Sequence, residues 1–407
     1  MGGTLKVLSL SLVYPNPSER GLGLFVRSRL QGMGATAELK VIAPVPLLDY
    51  LHPSRKLRPR NAVPFRRQDE RLEVFHPRWL YPPLGTPANI FCLYARVFQL
   101  AAQIRRKFPF QVIDAHFGYP EGVAGAMLSA TLRCPFLVTL RGNEIKFGQY
   151  RFRHPFMRWA LRRAARVITV SEELRRFAIS LGVEPARVRT IPNGIDPEVF
   201  GPRDRSASRR KFGIPETSSA IVCVGELVER KGHHLVVRAL KQILDRGVEV
   251  SLWIAGTAGR DGPVFEGVIR RLTSDLGLQQ HVHLLGFVPR HELADLMSAA
   301  DVFCLPSTLE GWPNVVHEAS ACGAPVVATV VGGVPEMLPD ERYGFIVPVG
   351  DQQALEAALF RAIKKTWDRD CIAAWGRSRS WAKVAAEVLD EIESVVSLER
   401  SAHSGRS

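Results

Sequence analysis

Short apolar runs alternate with segments of helical periodicity along most of the 407-residue chain. The first half contains the runs "LKVLSLSL", "QVIDAH", "PFLVTL" and "RVITVS", and the second half contains "SAIVCVG", "VSLWIAG", "HVHLLG", "DVFCLP" and "PVVAT". Continuous apolar runs separated by helices are typical of parallel sheets, whose strands are buried on both faces. The pattern therefore predicts an α/β fold built from doubly wound, Rossmann-like parallel sheets.

The alternation breaks at residues 200–215, where the charged and serine-rich stretch "FGPRDRSASRRKFGI" lacks a sustained apolar period. We interpret this stretch as a linker between an N-terminal domain at 1–199 and a C-terminal domain at 216–370. A chain of this length has room for two domains, each with its own core. Ligands bind at the carboxyl ends of the strands in such folds, so a cleft between two facing domains is the predicted site.

The end of the chain has a different pattern. Residues 371–398 include "WAKVAAEVLDEIESVV", whose apolar positions recur at helical spacing. We expect this helical segment to pack back on the N-terminal domain. The polar residues 399–407 predict a disordered tail.

Cysteine usage and hydropathy bear on the compartment. Six cysteines are scattered without a C-x-x-C pair, which favours a reducing environment. The longest uncharged segment, 319–335, is short and broken by Gly and Pro, so no membrane span is predicted. The start "LKVLSLSLVYPNPSERG" lacks a small-residue cleavage site and is interpreted as a first strand rather than a signal peptide. These features predict a cytoplasmic location.

The net charge of +14 is concentrated in the first half of the chain. Residues 1–200 contain 30 Lys and Arg against 14 Asp and Glu, whereas the remainder contains 24 against 26. From charge alone, the first half suits either nucleic acid or an anionic membrane surface. The chain lacks an RNP-like aromatic strand, a helix-turn-helix signature and zinc-ligand spacing, so a nucleic-acid-binding protein is the weaker alternative.

The stretch "RFRHPFMRWALRRAARV", residues 151–167, predicts a helix with two different faces. Its predicted buried face consists of Met157, Ala160, Leu161 and Ala164. Its predicted outer face consists of Arg158, Trp159, Arg162, Arg163 and Arg166. A tryptophan among arginines on an outer face predicts an anchor at an anionic membrane interface. The alternative is a solvated basic helix whose tryptophan packs on a neighbouring loop such as 55–67.

The stretch "LEGWPNVVHEASACGAPVVAT" contains two glutamates, Glu310 and Glu318. Proline is favoured at the first position of a helix, so Pro313 predicts a helix start with Glu310 in the loop before it and Glu318 inside it. The amides of the first turn, including those of Asn314 and Val315, have no intrahelical acceptor and suit a phosphate. Carboxylates accept hydrogen bonds from sugar hydroxyls. The stretch therefore predicts a site for a sugar and a phosphate.

Together, several segments resemble glycosyltransferase family 4, the retaining, sugar-nucleotide-dependent transferases of the GT-B fold, which has two facing Rossmann-like domains. The glutamate pair matches the hallmark of that family. Five further segments match its order and spacing: "TVSEELRR", "VRTIPNGIDPEVF", "VGELVERKGHH", "HLLGFVPRHELADLMSAADVFCLPS" and "GGVPEML". The segments "YPNPSERGLGLFVRSRL" and "VIAPVP" also resemble a branch that makes exopolysaccharide or teichuronic-type polymers. The alternative for the glutamates is a solvated helix face and a capping loop.

The resemblance implies retaining transfer of a sugar from a nucleoside-diphosphate sugar to a lipid-linked or polysaccharide acceptor at the inner face of the cytoplasmic membrane. It implies that Glu318 accepts hydrogen bonds from the donor's ribose and that Glu310 lies by the transferred sugar. The leaving phosphate takes the acceptor's proton in this chemistry, so the resemblance implies no metal and no other cofactor. A GT-B epimerase or phosphorylase is the alternative within the fold.

Lys231 lies between a predicted strand and a predicted helix, where the family places a lysine on the donor diphosphate. The alternative is a surface lysine in a turn. The family commonly has Gly-Arg-Leu just before this lysine, whereas this chain has Gly225-Glu226-Leu227. A carboxylate beside a diphosphate is repulsive, so we expect Glu226 to turn away or to pair with Arg230 or Lys231.

In the N-terminal half, Gly21 and Gly23 follow the first strand, where glycines let backbone amides approach a sugar or phosphate. Arg141 occupies the position of the family's histidine near the reacting sugar, and an arginine can stabilise negative charge there. His116 ends a predicted strand and is either a contact residue or a structural histidine. The implied catalytic set is Glu310, Lys231, Arg141 and His116. The implied donor-binding set is Gly21, Gly23, Gly225, Glu226, Arg230, Lys231, Gly256, Val288, Glu310, Gly311, Asn314, Val315 and Glu318.

Overall fold

The computed structural model describes residues 4–48, 62–81, 88–258 and 264–404. The chain forms two compact units. Unit 1 consists of Met1–Gly194 with Trp381–Ser407, and unit 2 consists of Ile195–Ser380. Each unit is built around a parallel sheet covered by helices, as the alternation of apolar runs predicts.

Unit 1 contains an eight-stranded sheet in the order β10-β9-β8-β7-β1-β2-β5-β4. The strands of unit 1 are β1 (Lys6–Leu10), β2 (Glu38–Ile42), β3 (Val45–Pro46), β4 (Arg66–Asp69), β5 (Leu72–Phe75), β6 (Arg78–Trp79), β7 (Val112–His116), β8 (Phe136–Leu140), β9 (Arg166–Thr169) and β10 (Val188–Thr190). Strand β4 pairs antiparallel with β5, the other neighbours in this sheet pair in parallel, and β3 and β6 form a separate parallel pair. Strands β7 and β8 are buried along their whole length, and so are their three polar residues, Asp114, His116 and Thr139.

Six helices of unit 1 precede the chain's passage into unit 2. They are α1 (Leu24–Met33), α2 (Ala88–Lys107), α3 (Glu121–Leu132), α4 (Asn143–Gly148), α5 (Arg153–Leu161) and α6 (Glu172–Ser180). Helix α6 begins where it does because the Ser171 hydroxyl accepts a hydrogen bond from the Leu174 amide. Helices α4 and α5 follow the carboxyl end of β8 directly, so this part of the sequence builds the surface next to that strand end.

Unit 2 contains a six-stranded sheet in the order β13-β12-β11-β14-β15-β16, paired in parallel throughout. Its strands are β11 (Ser219–Val224), β12 (Val250–Ala255), β13 (Val282–Gly286), β14 (Val302–Leu305), β15 (Val326–Thr329) and β16 (Gly344–Val347). Its helices are α7 (Arg205–Phe212), α8 (His233–Asp245), α9 (Val264–Asp275), α10 (Arg290–Ala299), α11 (Asn314–Ala321), α12 (Val334–Met337), α13 (Gln352–Lys364) and α14 (Arg369–Arg377). Apolar clusters fill both faces of this sheet.

The stretch interpreted as a linker between domains, 200–215, lies within unit 2, where it contains helix α7. The Asp204 side chain caps α7 by accepting from the Ala207 amide. Arg209 is buried and donates to the Asp301 carboxylate at 3.0 Å. A charged helix without an apolar stripe is packed here because its buried Arg209 has a distant acidic partner, the partly exposed Asp301, which the local sequence does not reveal.

The C-terminal segment predicted at 371–398 is divided between the units. Helix α14 belongs to unit 2, whereas α15 (Trp381–Ser404) belongs to unit 1 and packs against α1. The apolar positions Val384, Ala385, Val388 and Leu389 lie in the core of unit 1. The tail expected to be disordered at 399–407 is helical as far as Ser404, and residues 405–407 lie outside the described part of the chain.

Candidate active site

One polar cluster of unit 2 joins the loops that follow β11 and β14. Lys231 lies in a short 3-10 turn before α8, and Glu310 lies in the loop between β14 and α11. The Lys231 ammonium donates to the Glu310 carboxylate at 2.5 Å, and each side chain is only 12% exposed. The structure thus brings together two residues that are 79 positions apart in the sequence.

Close backbone approaches hold these two loops in place. Gly232 has φ 71°, and a Cβ placed on it would lie 2.3 Å from the Pro306 carbonyl oxygen. A Cβ on Gly332 would lie 2.4 Å from the Gly311 carbonyl oxygen, and that same oxygen accepts from the Gly333 amide at 2.9 Å. Only glycine fits such contacts. The supporting role of Gly332 was not predicted, although its "GGVPEML" segment contributed to the family resemblance.

Helix α11 begins at Asn314, with Pro313 in extended conformation as its N-cap, one residue from the predicted start. Glu318 lies more than one turn inside the helix, as predicted, and its carboxyl is partly buried. Burial raises the pKa of Glu318 to about 7, while the charge of Arg290 opposes this shift. Hydrogen-bond donors from a bound ligand would favour the ionised form of the Glu318 carboxyl.

Glu226, the departure from the family pattern, points its carboxylate towards Arg230 at 3.7 Å, one of the two pairings expected from the sequence. Both side chains are about half exposed, so the pair is weak. The Arg230 guanidinium also lies 3.9 Å from Glu310. Arg230 is therefore shared between the two carboxylates beside the Lys231 turn.

The remaining members of the predicted donor-binding set in unit 2 lie at strand ends of the same sheet. Gly225 and Gly256 directly follow β11 and β12, and a Cβ on Gly256 would lie 1.8 Å from the Gly225 carbonyl oxygen. Val288 follows β13, next to the highly exposed Phe287. Adjacent parallel strands bring their carboxyl ends to one edge, so these positions share that edge with Lys231.

In unit 1, Arg141 is buried at the carboxyl end of β8. Its guanidinium donates to Asn193 Oδ1 at 3.1 Å and to His116 Nδ1 at 3.0 Å, and it lies 5.0 Å from the ring centre of Phe25. Burial lowers the pKa of Arg141, and Asp114 counteracts this shift. Arg141 is thus held in place from several sides.

His116 is fully buried behind Arg141, so it is placed to position that arginine rather than to contact a ligand. Its Nδ1 accepts from Arg141, which leaves the proton of the neutral ring on Nε2, 3.2 Å from the Asp114 carboxylate. Burial and the charge of Arg29 lower the pKa of His116 to about 3. The contact role considered for His116 does not fit this placement, because the ring has no exposed surface.

Glu144 is a supporting residue that the sequence analysis missed. Its carboxylate accepts from the amides of Gly118, Arg141 and Gly142, which ties the loop after β7 to the loop after β8. The signal was present in "TLRGNEIK", where a glutamate follows the glycine by two residues. Its partner across the loops is a backbone amide, and sequence patterns do not show such contacts.

The two glycines after β1 differ in their surroundings. Gly23 has φ 66° as the N-cap of α1, and a Cβ placed on it would lie 2.2 Å from the Val13 carbonyl oxygen. A Cβ on Gly21 would meet nothing within 4 Å. The structure therefore requires glycine at position 23, while position 21 has open space.

The basic helix is shorter than its sequence pattern indicates. Its predicted buried face is confirmed, because Met157, Ala160, Leu161 and Ala164 are fully buried. Arg166 was wrongly placed on the outer face, because α5 ends at Leu161 and Arg166 lies in β9, where it pairs with Glu391 at 2.7 Å. The exposed arginines are Arg158, Arg162 and Arg163. Of the alternative loop 55–67, residues 55–61 lie outside the described residues.

Two features are absent from the part of the chain that the structure describes. No helix in that part of the chain is long and apolar enough to cross a membrane. Nor do the described His, Cys, Asp and Glu side chains form a group of three placed to hold a metal ion.

Comparison with known proteins shows which family of proteins this chain is similar to. Residues 41–199 match the family model described as Glycosyltransferase Family 4, and residues 204–378 match the model described as Glycosyl transferases group 1. TuaC of Bacillus subtilis, named as a teichuronic acid biosynthesis glycosyltransferase, is 27% identical over 89% of this chain and 90% of its own length. WcaL of Escherichia coli, named as a colanic acid biosynthesis glycosyltransferase, is 30% identical over 64% of this chain and 63% of its own length.

Solved structures show the same architecture. Anabaena HepE in complex with UDP superposes with a TM-score of 0.73 at 22% identity, covering 96% of this chain and 100% of that chain. Sucrose-phosphate synthase from Thermosynechococcus elongatus gives a TM-score of 0.71 at 20% identity, covering 98% of both chains. The two family models, which together cover most of the chain, show that it belongs to glycosyltransferase family 4 and is a glycosyltransferase, and the solved structures show the GT-B fold.

Proposed function

We propose that this glycosyltransferase moves a sugar, with retention of anomeric configuration, from a nucleoside-diphosphate sugar to a lipid-linked or polysaccharide acceptor. The observation that carries the proposal is the ion pair between Lys231 and Glu310 beside the N-terminal end of α11. The polymer-related names of TuaC and WcaL support the acceptor class. The UDP complex of HepE supports a nucleoside-diphosphate donor.

The donor diphosphate would bind between Lys231 and the first-turn amides of α11, those of Asn314 and Val315. A diphosphate competes with Glu310 for the Lys231 ammonium, so binding would release the Glu310 carboxylate to accept from the hydroxyls of the transferred sugar. Glu318 would accept from the ribose. Lysine and helix amides stabilise the charge that grows on the leaving group, so we propose that no metal is needed.

In the proposed reaction the acceptor hydroxyl attacks the anomeric carbon from the face that the diphosphate leaves. The bond between that carbon and the phosphate oxygen breaks, the new glycosidic bond forms, and the departing phosphate takes the hydroxyl proton. Arg141 would stabilise negative charge, and it cannot act as a base because it stays protonated. His116 and Glu144 would serve as positioning residues for Arg141.

We also place the reaction at the cytoplasmic face of a membrane, with α5 as the docking element. Arg158, Arg162 and Arg163 are exposed, and the Arg163 guanidinium lies 4.7 Å from the ring centre of Trp159. Arginines around a half-buried tryptophan suit the headgroup region of an anionic bilayer. This part of the proposal rests on surface chemistry alone.

A donor panel tests the central claim. The protein is incubated with UDP-, GDP-, ADP- and dTDP-sugars, and the released nucleotide and sugar are detected by mass spectrometry. We expect one nucleotide class to be turned over, and the anomeric configuration of the product, read by NMR, to match that of the donor. Two outcomes would contradict the proposal. One is that the folded protein, supplied with polyprenyl-linked acceptors, turns over none of the donors. The other is a product of inverted anomeric configuration.

A further inference from the structure

Helices α2, α3 and α5 of unit 1 enclose a surface groove that the proposed donor chemistry does not use. Its volume is about 400 Å³, and the described side chains that line it are all apolar. They include Ile90, Phe91, Met127, Pro155, Phe156 and Trp159. Phe91 is 54% exposed, which is an unusual position for a large aromatic ring.

A second cavity, of about 600 Å³, adjoins the groove and differs from it in having cationic side chains in its lining. It shares Pro155 and Trp159 with the groove, and it is also lined by Arg158, Arg162 and Arg163. Trp159 therefore stands between an apolar volume and a cluster of three arginines. The C-terminal end of α5 contributes a partial negative charge of only about half a unit, which three guanidinium groups outweigh.

We propose that the groove and the arginine cavity together bind one lipid phosphate molecule, with its hydrocarbon chain in the groove and its phosphate on the arginines. An apolar groove binds a hydrocarbon chain through non-directional contacts. A neighbouring cationic cavity binds the phosphate and so fixes the orientation of the lipid in the groove. A ligand with either part alone would fill half of the combined surface. In the proposed function, this lipid phosphate would be the acceptor. Only its role as acceptor rests on that function, because binding of the lipid phosphate does not.

Calorimetric titration with monomeric alkyl phosphates tests the proposal without donor or membrane. Octyl, decyl and dodecyl phosphate are used below their micelle concentrations, with inorganic phosphate and dodecanol as separate arms. We expect affinity to rise by up to about fourfold for each added methylene that the groove buries. Inorganic phosphate and dodecanol should each bind at least tenfold more weakly than dodecyl phosphate.

Variants assign the two parts of the site. Phe91→Asp should remove the dependence on chain length, and Arg162→Glu with Arg163→Glu should remove the advantage of the phosphate over the alcohol. Phe65→Asp is the matched control for the first, because Phe65 is 50% exposed, directly precedes β4 and does not line the groove. Arg176→Glu, an exposed arginine of α6, is the control for the second.

The outcomes separate this inference from the proposed function. Alkyl phosphate binding that depends on neither chain length nor Phe91 overturns the groove assignment. The assignment is also overturned if the protein binds anionic vesicles but does not bind monomeric alkyl phosphate. Donor turnover is measured separately with the sugar-nucleotide panel. If turnover is absent but alkyl phosphates bind as expected, the proposed function fails while the lipid phosphate site stands.

Discussion

Arg141 shows how a single substitution relative to a family pattern changes the charge of a site. Arg29 and Arg141 are both buried, Asp114 pairs with Arg29 at 2.6 Å, and His116 is neutral. Burial also raises the pKa of Glu144, and its backbone hydrogen bonds oppose this shift. Arg141 therefore adds a buried guanidinium at the carboxyl end of β8. An uncharged histidine in place of Arg141 would remove that guanidinium, so this chain is better suited to an anionic group there.

Glu318 leads to a prediction about pH. Burial raises its pKa to about 7 in the unliganded protein, and donor hydroxyls bind best to the ionised carboxylate. Donor affinity should therefore rise with pH, by up to about tenfold per unit below the pKa, and level off above it. Calorimetry with an intact sugar nucleotide between pH 5.5 and 8.5, about the window set by that pKa, measures the effect.

Glu318→Gln is the control for this pH dependence. It keeps the size of the side chain and cannot ionise, so its donor affinity should be weak and nearly constant across the same range. An equally steep pH dependence in Glu318→Gln would assign the titration to another group.

Lys231 leads to a kinetic prediction. Charge on the leaving diphosphate grows in the transition state, so Lys231→Ala should lower kcat more than it weakens donor binding. We expect a loss in kcat of about a hundredfold or more, typical of removing one charge-stabilising group. Lys241→Ala is the control, because Lys241 pairs on the surface of α8 with Asp245. Unchanged kcat in Lys231→Ala at saturating donor would remove Lys231 from the mechanism.

Among the elements, the start of α1 gives a clear stability prediction. Gly23→Ala places a Cβ at φ 66° and 2.2 Å from the Val13 carbonyl oxygen, so the loop after β1 must move. We expect a loss of about 1–3 kcal/mol in the free energy of unfolding. Gly21→Ala, two residues earlier in the same loop, meets nothing within 4 Å and should be nearly neutral.

Urea denaturation of both alanine variants checks this expectation, because the free energy of unfolding falls linearly with urea concentration. Equal stability of the two variants would mean that the Gly23 conformation is not required. The two variants thus separate a glycine that the fold needs, Gly23, from one at which the fold tolerates a side chain, Gly21.

Elements with strong local signals were predicted well, and those that depend on distant partners were not. The start of α11 was predicted to within one residue, because proline marks a helix start by its own covalent geometry. Helix α7 was missed, because the burial of Arg209 depends on Asp301, which lies 92 residues away in sequence. Arg166 was misplaced for a similar reason, since its Glu391 partner lies in α15.

The same physical reasons apply to the candidate site. Motif spacing located Glu310, Lys231 and Arg141, but not the Lys231–Glu310 ion pair or the three amides bound by Glu144. Those contacts arise when loops after different strands meet at one edge of a sheet. Pairings of this kind are set by topology, and local sequence carries little information about them.

At the scale of the whole molecule, the exposed arginines of unit 1 include a cluster at the C-terminal end of α5 and just beyond it, Arg158, Arg162 and Arg163. Each basic residue near an anionic bilayer contributes about 1 kcal/mol, so Arg158, Arg162 and Arg163 supply up to about 3 kcal/mol before salt screening. Insertion of Trp159 at headgroup depth adds to this. Such a sum supports reversible binding and not permanent anchoring.

Sedimentation with vesicles tests this docking. At low salt, we expect the protein to pellet with vesicles in which about a third of the lipid is phosphatidylglycerol, and to remain in the supernatant with pure phosphatidylcholine. It should be released from the anionic vesicles as the ionic strength rises past about 0.15 M, where the screening length is about 8 Å. Trp159→Ala combined with Arg162→Glu should abolish pelleting, because it removes the ring and reverses one charge of the cluster. Arg176→Glu changes the net charge by the same amount on α6 and should pellet like the wild type. If the double variant and the Arg176→Glu control pellet equally, the attraction comes from overall charge, and α5 is a solvated basic helix.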